Sequence, residues 1–492
     1  MSKLCKNKIY LSLLLIIISI FSLPLIHLIR TKLNESQNIQ QTAKDYRDDA
    51  SHLNATKVYK IIEAKSESNE IKEQLQDLLK YAQKNNLKVS LSGAKHSMGG
   101  HTIYPNGVSI NMLPYNHMKF NAATNILTVG SGATWSQALH HLDKYGKSIA
   151  VMQSFSNFSI GGSISVNGHG WQKNASPISE SIESFTLMKA NGEIVNCSRT
   201  ENSELFKLAI GGYGLFGIIL DVNVHVVDNV ALKFHSKTLE PKNYEEKYQQ
   251  YVSQNDKAQF AYGRVRISEK NFMEQLTLNY FEKTTDQPLE LKEQKSKNAE
   301  IKRLVFRGSI NNEYGKRLRW DLEQSLNRVS PYTTFSRNEI LDEDSSLIEN
   351  KDPNSTDILH EYFVPKDQLE HFLADIKPIL LESNVDLLNI TIREVLKDDD
   401  AYLNYAREDV FGLVFLFNQQ KTEQQEREMA LLTNQLVDTA LKNKGTFYLP
   451  YRLHVDKTKM RQVYPQANQF FALKLKYDPK EIFSNEFYKH YK

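Results

Sequence analysis

The chain has 492 residues, with 61 lysines and arginines against 58 aspartates and glutamates, and two cysteines. That length suits two or three domains with buried cores. The near-balanced charge argues against a dedicated nucleic-acid binder, and Cys5 and Cys197 alone exclude a disulfide framework or a cysteine-rich metal site.

Between Lys8 and Arg30 lie 21 residues free of Asp, Glu, Lys and Arg, centred on LSLLLIIISIFSL. As a helix they would span roughly 30 Å, the thickness of a bilayer's hydrocarbon core. No small-x-small cleavage site follows the run, so the pattern predicts a single-pass membrane anchor over residues 1–30 rather than a signal peptide. Lys3, Lys6 and Lys8 before it, against Arg30 and Lys32 after it, are too few to assign the side of the catalytic body. The polar residues 31–53 read as a tether from membrane to body.

The body opens with a strand at KVYKII. An amphipathic helix follows in NEIKEQLQDLLKYAQKNN, with Ile71, Leu75, Leu78, Leu79 and Ala82 on one face and Asn69 as its expected N-cap. The strand LKVSL then delivers the loop SGAKHSMGGH, Ser92 to His101. Another strand, NILTVGSG, leads into the helical TWSQALHHLDKYG. A second glycine-rich stretch, SFSNFSIGGSISVNGHG, runs from Ser154 to Gly170. Glycines there let backbone amides approach phosphate oxygens closely. Neither stretch is a GxGxxG fingerprint, and no GxxxxGK[ST] phosphate loop occurs. SIESFTLMKANGEIVNCSRTENSELFKLAIGGYGLFGIILDVNVHVV reads as strand, Asn191-Gly192 hairpin, strand, short helix, glycine turn and strand. Farther on, AQFAYGRVRI, LNITIREV and VFGLVFLF read as strands, LKEQKSKNAEIK near residue 291 as a solvated loop or helix face, and QQEREMALLTNQLVDTALKNKG as a helix stopped at Gly445.

Four separated segments, GAKHSMGG, LTVGSGATW, FSIGGSISVNGHG and AIGGYGLFGIILDVNVHVV, together resemble the flavin-binding (PCMH-type) domain of the vanillyl-alcohol-oxidase superfamily. The resemblance is closest to the decaprenylphosphoryl-ribose oxidases and to the alditol and aldonolactone oxidases. The closing segment from GTFYLPYRLHV to YDPKEIFSNEFY is similar to that family's tail, which folds back on the flavin domain. The resemblance implies an α+β protein: a two-part FAD-binding domain over 54–228 and 441–492, with an inserted α+β substrate domain over 229–440, all after the N-terminal transmembrane helix. It implies FAD as cofactor, held around Gly93, Ala94, Lys95, His96, Ser97, Met98 and Gly99. Ser159, Gly161, Gly162, Ser165, Asn167, His169 and Gly170 form the second expected segment, and Ile218, Ile219 and Tyr448 complete the set.

His96 is the candidate covalent tether, because alditol oxidases bond a histidine of this loop to the flavin's methyl. The ribose oxidases lack it and bind FAD without a bond, so both readings stand. A neutral imidazole has the nucleophilicity the bond needs. A metal is not expected, since no HxH or HExxH spacing accompanies the histidines, and a cysteinyl link to the flavin is not expected from Cys5 or Cys197. For catalysis, the lysine of the ribose oxidases, three residues after their flavin-facing tyrosine, aligns with Tyr451. Arg452 is the neighbouring cation that would lower the Tyr451 pKa. Arg393 matches a substrate-facing cation of relatives, although the glutamate that alditol oxidases place two residues earlier is Thr391 here. Glu361 and His454 complete the candidates. The expectation is a membrane-anchored FAD-dependent oxidoreductase acting on a hydroxyl of a sugar-like, polyol, lactone or lipid-linked sugar substrate, with its electron acceptor open. A carbon–carbon double-bond reductase and a non-enzymatic anchored flavoprotein are the alternatives.

Overall fold

The structure is a computed structural model that describes residues 22–35, 43–287, 291, 299–329 and 333–492. Most of the expected anchor, residues 1–21, lies outside the described residues, as does most of the charged segment near 291. Among the described residues no helix is long and apolar enough to cross a membrane. Residues 22–34 are helical.

A small parallel sheet comes first, with Val108–Asn111 between Lys60–Glu63 and Val89–Ser92. Parallel neighbours need a crossover, and the helix Ser68–Lys84 supplies it, burying Ile71, Leu75, Leu79 and Ala82 against the sheet. This helix starts before the expected cap: Glu67 precedes it without a side-chain cap bond, and Asn69 falls inside its first turn. A capping residue must itself keep an extended backbone, and here that residue is Glu67, two positions before Asn69.

A six-stranded antiparallel sheet follows. Ile218–Asp228 runs through its middle, flanked by Ile182–Met188 and Ile126–Gly130 and paired at its far end with Lys147–Ile149. The expected hairpin forms at Asn191-Gly192, where Gly192 takes a φ of +84°. The helix Trp135–Asp143 opens with a reciprocal capping box between Thr134 and Gln137, worth about 1 kcal/mol. Its Trp135 indole N–H donates to Ser163 Oγ at 2.9 Å, tying the helix to the second glycine-rich stretch.

The middle of the chain builds an eight-stranded antiparallel sheet. At its centre Ala258–Val265, Asp386–Val395, Val410–Gln420 and Ser355–Pro365 lie side by side. Register places Arg264 opposite Thr391, Thr391 opposite Val414 and Val414 opposite Glu361. Side chains alternate along strands, so Leu359, Glu361, Arg264, Thr391 and Arg393 share one face. The helix Glu423–Lys442 packs on this sheet and on its neighbour Leu369–Glu382. Its stop differs from the expected glycine cap: Lys444, at φ +59°, makes the left-handed turn. Gly445 is required for room instead, because a Cβ there would lie 2.3 Å from the Phe363 carbonyl.

The last fifty residues touch both layers. Thr446–Phe447 adds the eighth strand beside Tyr362 and Phe363, and Phe483 bridges Val89 of the parallel sheet. Asn485 Nδ2 donates to the carbonyls of His101 and Tyr213, both at 2.8 Å. Residues 43–53 also depart from the expected free tether. Tyr46–Arg47 pairs with Thr56–Lys57, and buried Asp49 accepts from Ser51 and from the Gly100 amide at 2.7 Å. The polarity that suggests a tether in sequence serves here to pin the His96 loop.

Candidate active site

The loop after Val89–Ser92, the stretch from Phe158 to Val166 and the tail around Tyr448 enclose one cleft of about 1020 Å3 including its open mouth. Small residues make the walls approach closely. A Cβ at Gly93 would stand 1.9 Å from Ser159 Oγ, and one at Gly161 would stand 2.7 Å from Ser131 Cβ. Lys95 turns the loop with a φ of +58°.

Five polar atoms on this lining are buried without a partner among the described residues: Ser97 Oγ, His101 Nδ1, Thr102 Oγ1, Ser131 Oγ and Gln153 Oε1. Each such atom costs about 1–3 kcal/mol if nothing bonds it. Their concentration in one cleft fits a long ligand rich in hydroxyl, phosphate and ring polar groups. His101 specifies the chemistry further. Its Nε2 faces the Leu449 carbonyl at 3.0 Å and therefore carries the hydrogen, which leaves Nδ1 a bare acceptor towards the cleft. Burial pushes the His101 pKa down to about 3, so the ring stays neutral.

The structure brings most of the expected cofactor set to this lining: Gly93, Ala94, Lys95, His96, Ser97, Ser159, Gly161, Gly162, Ser165, Ile218, Ile219 and Tyr448. It keeps five others behind the wall. Met98 donates its amide to the Pro450 carbonyl and packs its sulfur on Leu359. Gly99 lies against the Tyr451 carbonyl, and Gly170 against Gln172 and Met152. Asn167 holds Asp398 at 2.7 Å, and His169 turns to Glu361. These five shape the cleft rather than line it. Asp49, Thr102, Ser131, Gln153 and Phe158 escaped the sequence reading, although Phe158 stands in the quoted SFSNFSIGG.

His96 stacks on Phe158 with centroids 3.9 Å apart. Burial, opposed by the Asp344 carboxylate, lowers its pKa to about 4. Among the described residues no hydrogen bond occupies either ring nitrogen, so the imidazole is neutral with a free lone pair beside the cleft.

The roof of the cleft holds the charged groups. Glu361 and His169 form a buried pair, with Glu361 Oε1 against His169 Nε2. His169 Nδ1 faces its neighbour's carbonyl at 3.2 Å and so bears a hydrogen. The pair thus holds one further proton, either on the imidazole or on the carboxyl. Burial alone would raise the Glu361 pKa; the charge and hydrogen bond of His169, then Arg393 and the Tyr451 hydroxyl, outweigh it and leave it lowered. Tyr451 donates to Glu361 Oε2 at 3.1 Å and is the member of this trio on the cleft lining. The Arg393 guanidinium faces Glu361 and Tyr451 without a hydrogen bond or ion pair among the described residues, and burial lowers its pKa.

Arg452 and His454 do not join this group. Arg452 clamps Glu426, Asn54 Oδ1 and the Met98 carbonyl, and His454 bonds Thr433 and Glu426. The backbone turn after Tyr451 aims them at the helix Glu423–Lys442. The expected lowering of the Tyr451 pKa is accordingly reversed: burial first, then the Glu361 carboxylate, hold the phenol well above its ordinary value against Arg393. Tyr451 is a proton-bearing hydroxyl, not a phenolate. Tyr448 likewise stays a phenol, donating to the Val166 carbonyl at 2.8 Å.

Comparison with known proteins agrees with this site. Residues 70–198 match the family described as FAD binding domain. The chain is 26% identical over 153 residues to an uncharacterized oxidoreductase of the fasciation locus of Rhodococcoides fascians, covering 31% of this chain and 35% of that protein. It is 31% identical over 146 residues to cytokinin dehydrogenase 2 of Arabidopsis thaliana, 29% of each chain. Against L-gulonolactone oxidase of Bos taurus it is 27% identical over 162 residues, 33% of this chain and 37% of the other. The chain thus spans about a third of the length of these relatives. The glycine-lined cleft with its unbonded polar atoms and the matched segment agree on one ligand, and the chain carries an FAD-binding domain of the vanillyl-alcohol-oxidase superfamily, with FAD as its cofactor.

Proposed function

We propose that the protein is an FAD-dependent oxidoreductase that oxidises a hydroxyl group of a sugar-like, polyol or lactone substrate at the membrane. The observation that carries this reading is the Tyr451 hydroxyl, which joins the cleft to the buried Glu361–His169 pair. Bound FAD supplies the acceptor for the hydride that leaves the substrate carbon. The chain's own residues must then take the hydroxyl proton. Tyr451 accepts it as its own proton passes to Glu361 Oε2, and the one-proton Glu361–His169 pair spreads the added charge over two side chains. Arg393, held close to Tyr451 and Glu361 and without a hydrogen-bond partner among the described residues, is placed to orient a substrate oxygen. The relatives named as L-gulonolactone oxidase and D-arabinono-1,4-lactone oxidase favour the lactone branch of this substrate class.

Anaerobic mixing of the flavin-loaded chain with a panel of polyols, aldonolactones and sugars tests the reading. Bleaching of the visible flavin band by at least one of them is expected; a flavin that stays oxidised with all of them overturns it. A double-bond reductase has one specific observation in its favour, the Tyr451 phenol kept protonated and able to donate. Pre-reduced flavin that is reoxidised by enones, with no bleaching by alcohols, would establish that reading instead. The bond to His96 is part of the proposal: the neutral, unbonded ring beside the cleft supports it. Acid precipitation should leave yellow colour in the pellet, and His96→Ala should release it to the supernatant. Colour wholly in the supernatant of the unaltered chain would refute the bond.

A further inference from the structure

We propose that the helical residues 22–34 and the helices Ala299–Arg307 and Glu313–Val329 form one lipid-contacting face, on which the substrate domain rests against a phospholipid bilayer beside the cleft. The segment is not loosely strung. His27 Nε2 meets the Gly308 carbonyl at 3.0 Å, and its ring stands edge-on to Tyr314. Glu35 grips Arg303 with both carboxylate oxygens, at 2.5 and 2.6 Å. The turn beneath His27 is closed so tightly that a Cβ at Gly315 would lie 1.8 Å from the Gly308 carbonyl.

Fixed in this way, the segment turns Leu23, Leu25, Ile26, Ile29 and Leu33 outward, each between 49% and 77% exposed. Ile301, Leu322 and Leu326 are exposed on the two helices beneath. These three helices hold eight of the sixteen large exposed apolar side chains among the described residues, which makes a patch rather than a scatter. On the same helices the exposed cations Arg30, Lys32, Lys302, Arg317 and Arg328 outnumber the exposed acids Glu300, Glu313 and Asp321, a net basic and apolar face that suits an interface of acyl chains and phosphate headgroups. In sequence the segment continues directly from the apolar run of residues 9–21, so the chain reaches this face from its most lipid-compatible stretch.

The same helices adjoin the cleft. Leu359 packs against the small cluster of Phe306, Leu388 and Leu416, to which the helix Ala299–Arg307 contributes Phe306, and also stands on the cleft lining. Resting on the oxidoreductase reading, this deepens it: the preferred substrate is amphipathic, with the hydroxyl head at Tyr451 and an apolar tail running past Leu359 towards the bilayer.

The test uses the full chain carrying Cys5→Ser with one added cysteine, Ile301→Cys, Leu322→Cys or, as a remote control, Lys65→Cys. Cys197 stays unlabelled, since it is buried with its thiol pKa pushed up to about 12. Each variant is labelled with bimane and reconstituted into phosphatidylcholine–phosphatidylglycerol vesicles containing doxyl-labelled lipid. Labels at 301 and 322 are expected to be quenched roughly threefold more than at 65. Equal quenching at the three positions would overturn the proposal, whether the chain is only tethered, does not bind, or covers this face with a second copy. No turnover is read, so the outcome is independent of whether the oxidoreductase reading holds.

Discussion

The floor of the cleft is lined largely from two short runs of the chain, residues 92–102 and 158–165. On the roof, Glu361, Arg393 and Tyr451 come from two strands and the tail, and meet His169 from a fourth place in the chain. The floor carries a single cation, Lys95, and leaves polar atoms open for the cofactor, whereas the roof pairs Glu361 with His169 and opens to the cleft through the Tyr451 hydroxyl. Holding a cofactor and reacting with a substrate are thus divided between the two layers, and substitutions should separate them.

Glu361→Gln should separate them most sharply. Flavin reduction by the best substrate is expected to slow about 10²–10⁴-fold while the protein stays yellow, read by anaerobic stopped-flow alongside the flavin-to-protein absorbance ratio. Equal loss of both would mean that the roof also holds the cofactor. Gly93→Val acts on the floor: its side chain would start 1.9 Å from Ser159 Oγ, and overpacking of this kind costs about 1–3 kcal/mol. FAD content should fall severalfold or more, with a thermal melt confirming a folded chain.

Acid tests both layers together, through His101 on the floor and His360 behind the roof, each held neutral by burial with a pKa of about 3. The unfolded chain takes up protons at an ordinary histidine pKa near 6.5, so it binds more protons than the folded chain between those values. Their effect on stability is absent above about pH 6.5 and becomes a loss as pH falls towards 3, reaching about 2 kcal/mol for each ring at pH 5. Thermal midpoints at pH 7 and 5 should record that fall, and a flat response would remove the burial argument for His101. Tyr451→Phe removes the hydroxyl that joins the cleft to Glu361 and should slow flavin reduction about a hundredfold, the low end for a positioned acid–base group, with FAD retained. Its rate should depend more steeply on pH than that of the unaltered chain, because Glu361 then has to receive the proton without an intermediary.

This division also explains what could be read from sequence. Gly93, Gly161 and Gly162 announce themselves because close backbone approach demands a residue type within a local run. The hairpin at Gly192 and the helix Trp135–Asp143 follow equally local rules. Glu361 and His169 lie 192 residues apart, and nothing local says that their side chains meet. Arg452 misled for the same reason: it is adjacent to Tyr451 in sequence, but the turn sends it to Glu426 and Asn54. The tether reading of residues 31–53 rested on their polarity, whereas Asp49 within them is polar because it must accept the Gly100 amide.

Asn485 bonds the carbonyl of His101, and Tyr448 and Tyr451 stand on the cleft lining, which bears on the order of events during synthesis. The glycine loops leave the ribosome hundreds of residues before the groups that close over them. A nascent chain therefore holds both glycine loops long before it can retain a flavin. Cofactor capture, and any bond made to it, belongs to the final stage of maturation, once the residues around Tyr448 and Asn485 have been made.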